Sequence, residues 1–324
     1  MTKEWIIPTV VFVVAVSLGL AATMKPKNPE KPFDGVSTKE LLDLHDDKPT
    51  LWLYYNTADV NSRYWSDFGA RSSRVLNKPY LNLCYSTIVE ASKENYKIVI
   101  INGLADAIQR LGGLEYVPSP LRNPKAFLLE EEVQFLEMAF LAKFGGLWIS
   151  PSTICIRDIP VFPKESIICF GTSDTETYSG KEGTPIPNTQ YIWCPRPEAP
   201  VFQRWASILF ERLDGYGGGQ RARRDNQWDW TFVTTGACSI LTQPNATVQR
   251  KKNGRRIELE DLLASGTEGD IPFPVGEDAI FVPIPFYELD RRSQFQWFLR
   301  SSEEQIMESD IAIKYLFESR ISSD

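Results

Sequence analysis

The most prominent pattern along the chain is an unbroken apolar run. Ile6 to Met24 reads IIPTVVFVVAVSLGLAATM and carries no charge. Rising about 1.5 Å per residue, such a helix spans about 28 Å, close to the hydrocarbon thickness of a bilayer. Residues 1–24 are therefore expected to form a single membrane-spanning anchor. Trp5 stands where an interfacial aromatic would, and Pro8 falls in the first turn, where its missing N–H costs little. The small residues Gly19, Ala21 and Ala22 also fit the competing reading, a cleaved signal peptide.

Prolines 26, 29, 32 and 49, set among charges, make residues 25–49 an extended stem. Beyond it the pattern changes to short apolar runs alternating with helical periods. Leu51 to Asn56 (LWLYYN) and Tyr96 to Asn102 (YKIVIIN) read as strands. Between them Leu81, Cys84, Tyr85, Ile88 and Val89 share one helical face. The β-α-β order favours a parallel sheet covered by helices. A second helix is expected from Leu128 to Lys143, ended by Gly145-Gly146, with LWIS opening the next strand. Further strands are expected at Ser166 to Phe170, Gln190 to Trp193 and Ala279 to Pro283, and a helix from Val201 to Leu213. Ser301 to Ser319 reads as a terminal helix whose apolar positions, Ile306, Ile311, Ile313, Leu316 and Phe317, suit docking on the body or on a partner. The body is thus residues 50–300, with 301–324 as a C-terminal helix and tail.

Composition narrows the chemistry. Of 324 residues, 35 are Lys or Arg and 42 are Asp or Glu, a net charge of −7, which argues against a partner nucleic acid held by charge. Cys84, Cys155, Cys169, Cys194 and Cys238 show no C-x-x-C spacing and do not suggest a disulfide framework. His45 is the single histidine, which excludes His-rich metal sites. Two irregular stretches, Gly215 to Arg224 and the Asn253-Gly254 hairpin signal flanked by Arg250, Lys251, Lys252, Arg255 and Arg256, suit phosphates or lipid head groups, or plain solvated charge.

Pro79, Tyr80, Cys84 and Ser86 resemble a P-x-Y-x-x-C-x-x-S helix, and Gly145, Gly146 and Trp148 resemble a G-G-x-[WY]-x-D-x-[DT] junction. Tyr54 and Tyr55 lie in a W-x-Y-W-like strand, and Thr235 and Gly236 sit in a T-G-P-like segment. Together these fragments are similar to the glycosyltransferases of the capsular-polysaccharide-synthesis and Och-type mannosyltransferase group. That resemblance implies a GT-A-like fold: an open, mostly parallel α/β sheet with flanking helices, binding a nucleotide-sugar at the carboxyl ends of its strands. The implied nucleotide-sugar contacts are Tyr54, Asn56, Gly145, Gly146, Trp148, Ser150, Ser152, Thr235 and Gly236.

The chain departs from that group where a divalent cation would bind. Ser150-Pro151-Ser152 occupies the D-x-D slot, and two hydroxyls cannot replace carboxylates for Mg²⁺ or Mn²⁺. Gln134 and Glu137 fall in the Asp and Arg slots of an S-D-x-x-R helix, and Ala237 replaces a proline. Asp158, six residues past Ser152, is a displaced carboxylate within reach in sequence, and Arg221, Arg223 and Arg224 could replace a metal's charge. Trp228-Asp229-Trp230 fits a sugar platform or an interface, Glu130 to Glu132 a solvated helix start, and Asp174 and Glu176 a surface turn or acceptor contact.

No metal or cofactor is expected. The expected role is a structural or accessory subunit of a membrane assembly, whose partners are the bilayer and other membrane-protein subunits. The small residues of the anchor suit helix contacts, and Trp65, Trp205, Trp228, Trp230 and Trp297 suit partner anchoring or core filling. The alternative is an active transferase taking a hexose from a nucleotide-sugar to a glycan or lipid acceptor with Mn²⁺ or Mg²⁺. An enzyme would sit in the Golgi or endoplasmic reticulum; a subunit also suits an organellar inner membrane. Lys25, Lys27 and Lys31 after the anchor, against Lys3 before it, count for a body on the inner side, whereas the sequon Asn245-Ala246-Thr247 suits a luminal one.

Overall fold

The structure is a computed structural model that describes residues 48–60, 76–125, 127–171, 190–215, 240–248, 256–266 and 271–321. The expected anchor, nearly all of the stem, Trp65, Asp174, Glu176, the arginine-rich stretch, the Trp228-Asp229-Trp230 cluster, Thr235, Gly236 and the Asn253-Gly254 signal lie outside those residues.

The strands are β1 (Thr50–Tyr55), β2 (Lys97–Asn102), β3 (Gly146–Ile149), β4 (Thr153–Cys155), β5 (Ile167–Phe170), β6 (Tyr191–Cys194), β7 (Ile240–Gln243) and β8 (Phe281–Pro283). The longer helices are α1 (Tyr80–Ser92), α2 (Gly103–Leu111), α3 (Glu130–Phe144) and α4 (Pro200–Gly215). Four short ones close the chain: α5 (Phe286–Arg291), α6 (Gln296–Arg300), α7 (Glu303–Glu308) and α8 (Ala312–Glu318).

Six strands form one sheet in the order β2-β1-β3-β6-β5-β7. β1 runs parallel to β2 and β3, β5 runs parallel to β7, and β6 is antiparallel to both its neighbours. The sheet is thus largely parallel with helices on both faces, and β4 and β8 make a separate antiparallel ribbon. β1 shows why its sequence is apolar throughout: Leu51, Leu53 and Tyr55 enter one core, while Trp52 and Tyr54 enter the core on the other face. The first core is closed by α1, the ribbon and the C-terminal helices, the second by α2, α3 and α4.

The Gly145-Gly146 junction is steric. Gly146 has φ +96°, and a Cβ there would lie 2.5 Å from the Thr50 carbonyl oxygen and 2.9 Å from Trp52 Nε1. At Gly145, φ is +65° and a Cβ would meet the Arg196 carbonyl carbon at 2.8 Å. Trp52 Nε1 donates to the Gly145 carbonyl at 2.8 Å, pinning the junction to β1.

The terminal segment corrects one expectation. It is two helices, because the chain between them is extended and tied to residues 264–266: Ser265 bridges Ile311, Ala312 N–H donates to the Ala264 carbonyl (2.9 Å), and Gly266 N–H donates to the Asp310 carbonyl (3.2 Å). Ile306, Ile311, Ile313, Leu316 and Phe317 are all buried in the core that holds α1, so the segment docks on the body. Trp205 is core; Trp297 is 46% exposed.

Gly146→Ala is expected to destabilise the body by about 2–4 kcal/mol, from left-handed backbone strain plus overlap with fixed backbone. Gly276→Ala, with nothing within 4 Å, should stay within about 0.5 kcal/mol. Urea unfolding followed by tryptophan fluorescence checks both, and equal effects would contradict the steric account.

Candidate functional site

In an open sheet, ligands bind outside the carboxyl ends of the parallel strands. Here that edge is formed by Asn56 after β1, Asn102 at the end of β2, Ser150 after β3, Gly171 after β5 and Pro244 after β7. Past Asn56 the chain turns through the short helix Thr57–Val60, in which Asp59 N–H donates to the Asn56 carbonyl at 3.0 Å. It returns at Leu76, and Asn77 N–H donates to the Asp59 carbonyl at 2.7 Å. This places Lys78 against Asp59, just ahead of α1.

Lys78 is the hub. Its Nζ lies 2.9 Å from Asp59 Oδ1 and 2.9 Å from Asp290 Oδ1 on α5, and 4.1 Å from the centroid of the Phe286 ring. Lys78 and Asp59 are both buried. Burial holds the Asp59 carboxyl above its ordinary pKa and outweighs the attraction of Lys78, while Asp290 adds repulsion. Tyr54 reaches the same place from β1: its hydroxyl donates to Asn56 Oδ1 at 3.4 Å. Its phenol is pushed well up, first by burial and then by the charges of Asp59, Tyr287 and Glu132.

The first turn of α3 supplies the remaining groups. Glu132 is buried, not solvated as its acidic run suggests: it accepts from the Leu129 N–H at 2.9 Å and pairs with Lys125. Gln134 and Glu137, one turn apart on the same helix, are also buried. The Gln134 amide makes no hydrogen bond among the described residues. Glu137 adds to the burial that raises the Cys169 thiol on β5.

The D-x-D slot has a structural occupation. Ser152 Oγ donates to the Ile284 carbonyl at 3.1 Å and therefore accepts from the Tyr80 hydroxyl at 3.0 Å. Ile284 N–H returns a bond to the Ser152 carbonyl at 2.9 Å, and the serine is 2% exposed. Ser150, partly exposed, donates its N–H to the Gln190 carbonyl at 3.1 Å. Neither hydroxyl fits a hard dication, which takes carboxylate oxygens. Among the described residues no group of three or more His, Cys, Asp or Glu side chains could hold a metal ion.

The chain matches no family model and no curated protein.

Of the residues implied by the resemblance, Tyr54, Asn56 and Ser150 stand at the carboxyl edge. Gly145 and Gly146 sit at the other end of β3, about 10 Å away at some 3.3 Å per strand residue, and Trp148 is buried beside Phe140. These three shape the core and do not face a ligand at that edge. Asp158 lies on the far side too: it pairs with Arg320, next to Ile159, whose N–H donates to the Ala91 carbonyl at the end of α1. Asp59, Lys78 and Asp290 were not legible as a set. Lys78 and Asp290 are 212 residues apart, and only the position of Asp59 just past a strand end hinted at it. Cys84, Cys155 and Cys169 are free thiols, and they and Cys194 are buried. Among the described residues no helix is long and apolar enough to cross a membrane.

Lys78→Met leaves two carboxylates without their shared cation and is expected to cost about 3–5 kcal/mol; adding Asp59→Asn should restore part of that. A carboxyl whose folded pKa is raised destabilises the fold when it ionises. The stability of the native protein relative to Asp59→Asn should therefore fall as pH rises from about 4 through the raised value. Urea unfolding between pH 3.5 and 8 reads this; a pH-independent difference would contradict it.

Proposed function

We propose that this chain is a membrane-anchored protein whose glycosyltransferase-like body has lost metal-dependent catalysis and serves as a structural or accessory subunit of a membrane assembly. The observation that carries the reading is the engagement of Ser152. Its hydroxyl is spent inside the core on Tyr80 and Ile284, at the place where the resembled enzymes hold a cation. Lys78 does not replace that charge, because two carboxylates already neutralise it. An absent countercharge at a departing diphosphate would forfeit several kcal/mol of transition-state stabilisation, about three powers of ten in rate per 4 kcal/mol.

Two further features suit an accessory role. The apolar run Ile6 to Met24 gives a bilayer attachment, with Ser17, Gly19, Ala21 and Ala22 allowing close helix contact. The half-exposed Trp297 gives an aromatic anchor on the body.

The second reading, an active transferase moving a hexose from a nucleotide-sugar to a glycan or lipid acceptor, is favoured by one observation. Gln134 is buried near the sheet's carboxyl edge with an amide that makes no hydrogen bond among the described residues, and a sugar hydroxyl could satisfy it.

Extraction in mild detergent followed by size separation distinguishes the two. Co-migration with a defined complex, without hexose transfer from a nucleotide-sugar panel, is expected. A free monomer with measurable transfer would restore the enzyme.

A further inference from the structure

We propose that Asn245 carries an N-linked glycan, and that the body therefore matures on the luminal side of its membrane. The triplet Asn245-Ala246-Thr247 has the required form, with no proline between the asparagine and the hydroxyl residue. The fold then treats its three residues differently. Asn245 is exposed in the 3₁₀ turn Pro244–Ala246 that leaves β7. Ala246, Thr247 and Val248 are buried one after another. Their backbone is fixed to the neighbouring strand: Ile280 N–H donates to the Ala246 carbonyl at 2.8 Å, Thr247 bridges Phe281, and Val248 N–H donates to the Phe281 carbonyl at 2.9 Å. The turn thus presents the Asn245 side chain outward while the three residues that follow it are buried.

Thr247 sets the order of events. Its hydroxyl is buried, makes no hydrogen bond among the described residues, and lies over Gly171, where a Cβ would come within 2.2 Å of it. In the folded body it cannot turn outward to help present the asparagine amide. The sequon is therefore read while the chain is still entering the lumen, before the turn closes. In that step Asn245 Nδ2 forms a bond to C1 of an oligosaccharide carried on a lipid diphosphate. The C1–O bond to the diphosphate breaks, the lipid diphosphate leaves, and the amide nitrogen gives one proton to a base. The fold accommodates the product, because the modified nitrogen is on the exposed residue.

The location bears on the candidate site. β7 is three strands from β3 in the sheet, about 14 Å at some 4.8 Å per strand, and Asn245 follows its carboxyl end. A glycan there flanks the same edge as Asn56 and Ser150. Lys25, Lys27 and Lys31 count for the opposite orientation, so the modification discriminates between two orientations of the chain.

The test is expression of the full chain, with its own N-terminus, in a eukaryotic cell, followed by peptide-N-glycosidase treatment and electrophoresis. One step of increased mobility is expected on enzyme treatment. Asn245→Gln should abolish that step, and so should Thr247→Val, which removes the hydroxyl while keeping the buried shape. Because that hydroxyl makes no hydrogen bond among the described residues, Thr247→Val should keep the native melting temperature, so a folding defect cannot account for the lost glycan. Thr247→Ser should keep the glycan. No mobility change in the native chain, or a change that persists in both Asn245→Gln and Thr247→Val, would overturn the proposal.

Discussion

Burial of β1 on both of its faces is the constraint on which the rest of the structure depends. Leu51, Trp52, Leu53, Tyr54 and Tyr55 are all buried, and side chains alternate across a strand, so one short segment must be covered by two separate cores. Each large apolar residue so covered contributes about 1.5–3 kcal/mol, enough to make any competing exposure of β1 costly. The chain meets the demand by placing α1, the β4–β8 ribbon and the C-terminal helices on one side and α2, α3 and α4 on the other. Trp52 also fixes the approach to β3, since its indole N–H holds the Gly145 carbonyl and its ring edge leaves room only for glycine at position 146.

The polar edge follows from the same geometry. A strand buried on both faces delivers its next residues, Asn56 and Asp59, into a crevice with little water. A carboxylate there needs a partner, which Lys78 supplies from the start of α1 and shares with Asp290 on α5. The clasp therefore joins the first strand, the first long helix and the C-terminal region at the place where an open α/β sheet takes its ligand. Its positive charge is committed internally. Among the described residues at this edge, Lys78 and Ser152 are thus both engaged within the fold, while Asn56 and Gln134 are buried neutral polar groups.

Much of the fold was legible because its signals are local. Runs such as LWLYYN and YKIVIIN, the helical period between them and the paired glycines at 145 and 146 each report an environment within a few residues. The terminal segment is two helices where its period predicts one, because the break at Ser309 to Ile311 comes from pairing with residues 264–266, and a helical period carries no trace of that partner. Glu132 departs from the solvated helix start that its acidic run predicts for the same reason: Lys125 and the Leu129 N–H turn it inward. The site was the least legible part. Lys78, Asp59 and Asp290 meet only through the tertiary fold, whereas the motif-like Gly145 and Gly146 shape the opposite end of β3 and Trp148 packs against Phe140.

The claim on which the account rests is that the carboxyl edge does not use a divalent cation. Calorimetric titration of the purified protein with a panel of nucleoside diphosphate sugars, with and without Mn²⁺, measures this directly. The account predicts that Mn²⁺ leaves any observed affinity unchanged within about twofold, less than 0.5 kcal/mol. Tightening by about tenfold or more with Mn²⁺, some 1.4 kcal/mol, and its loss on Ser150→Ala, would contradict it.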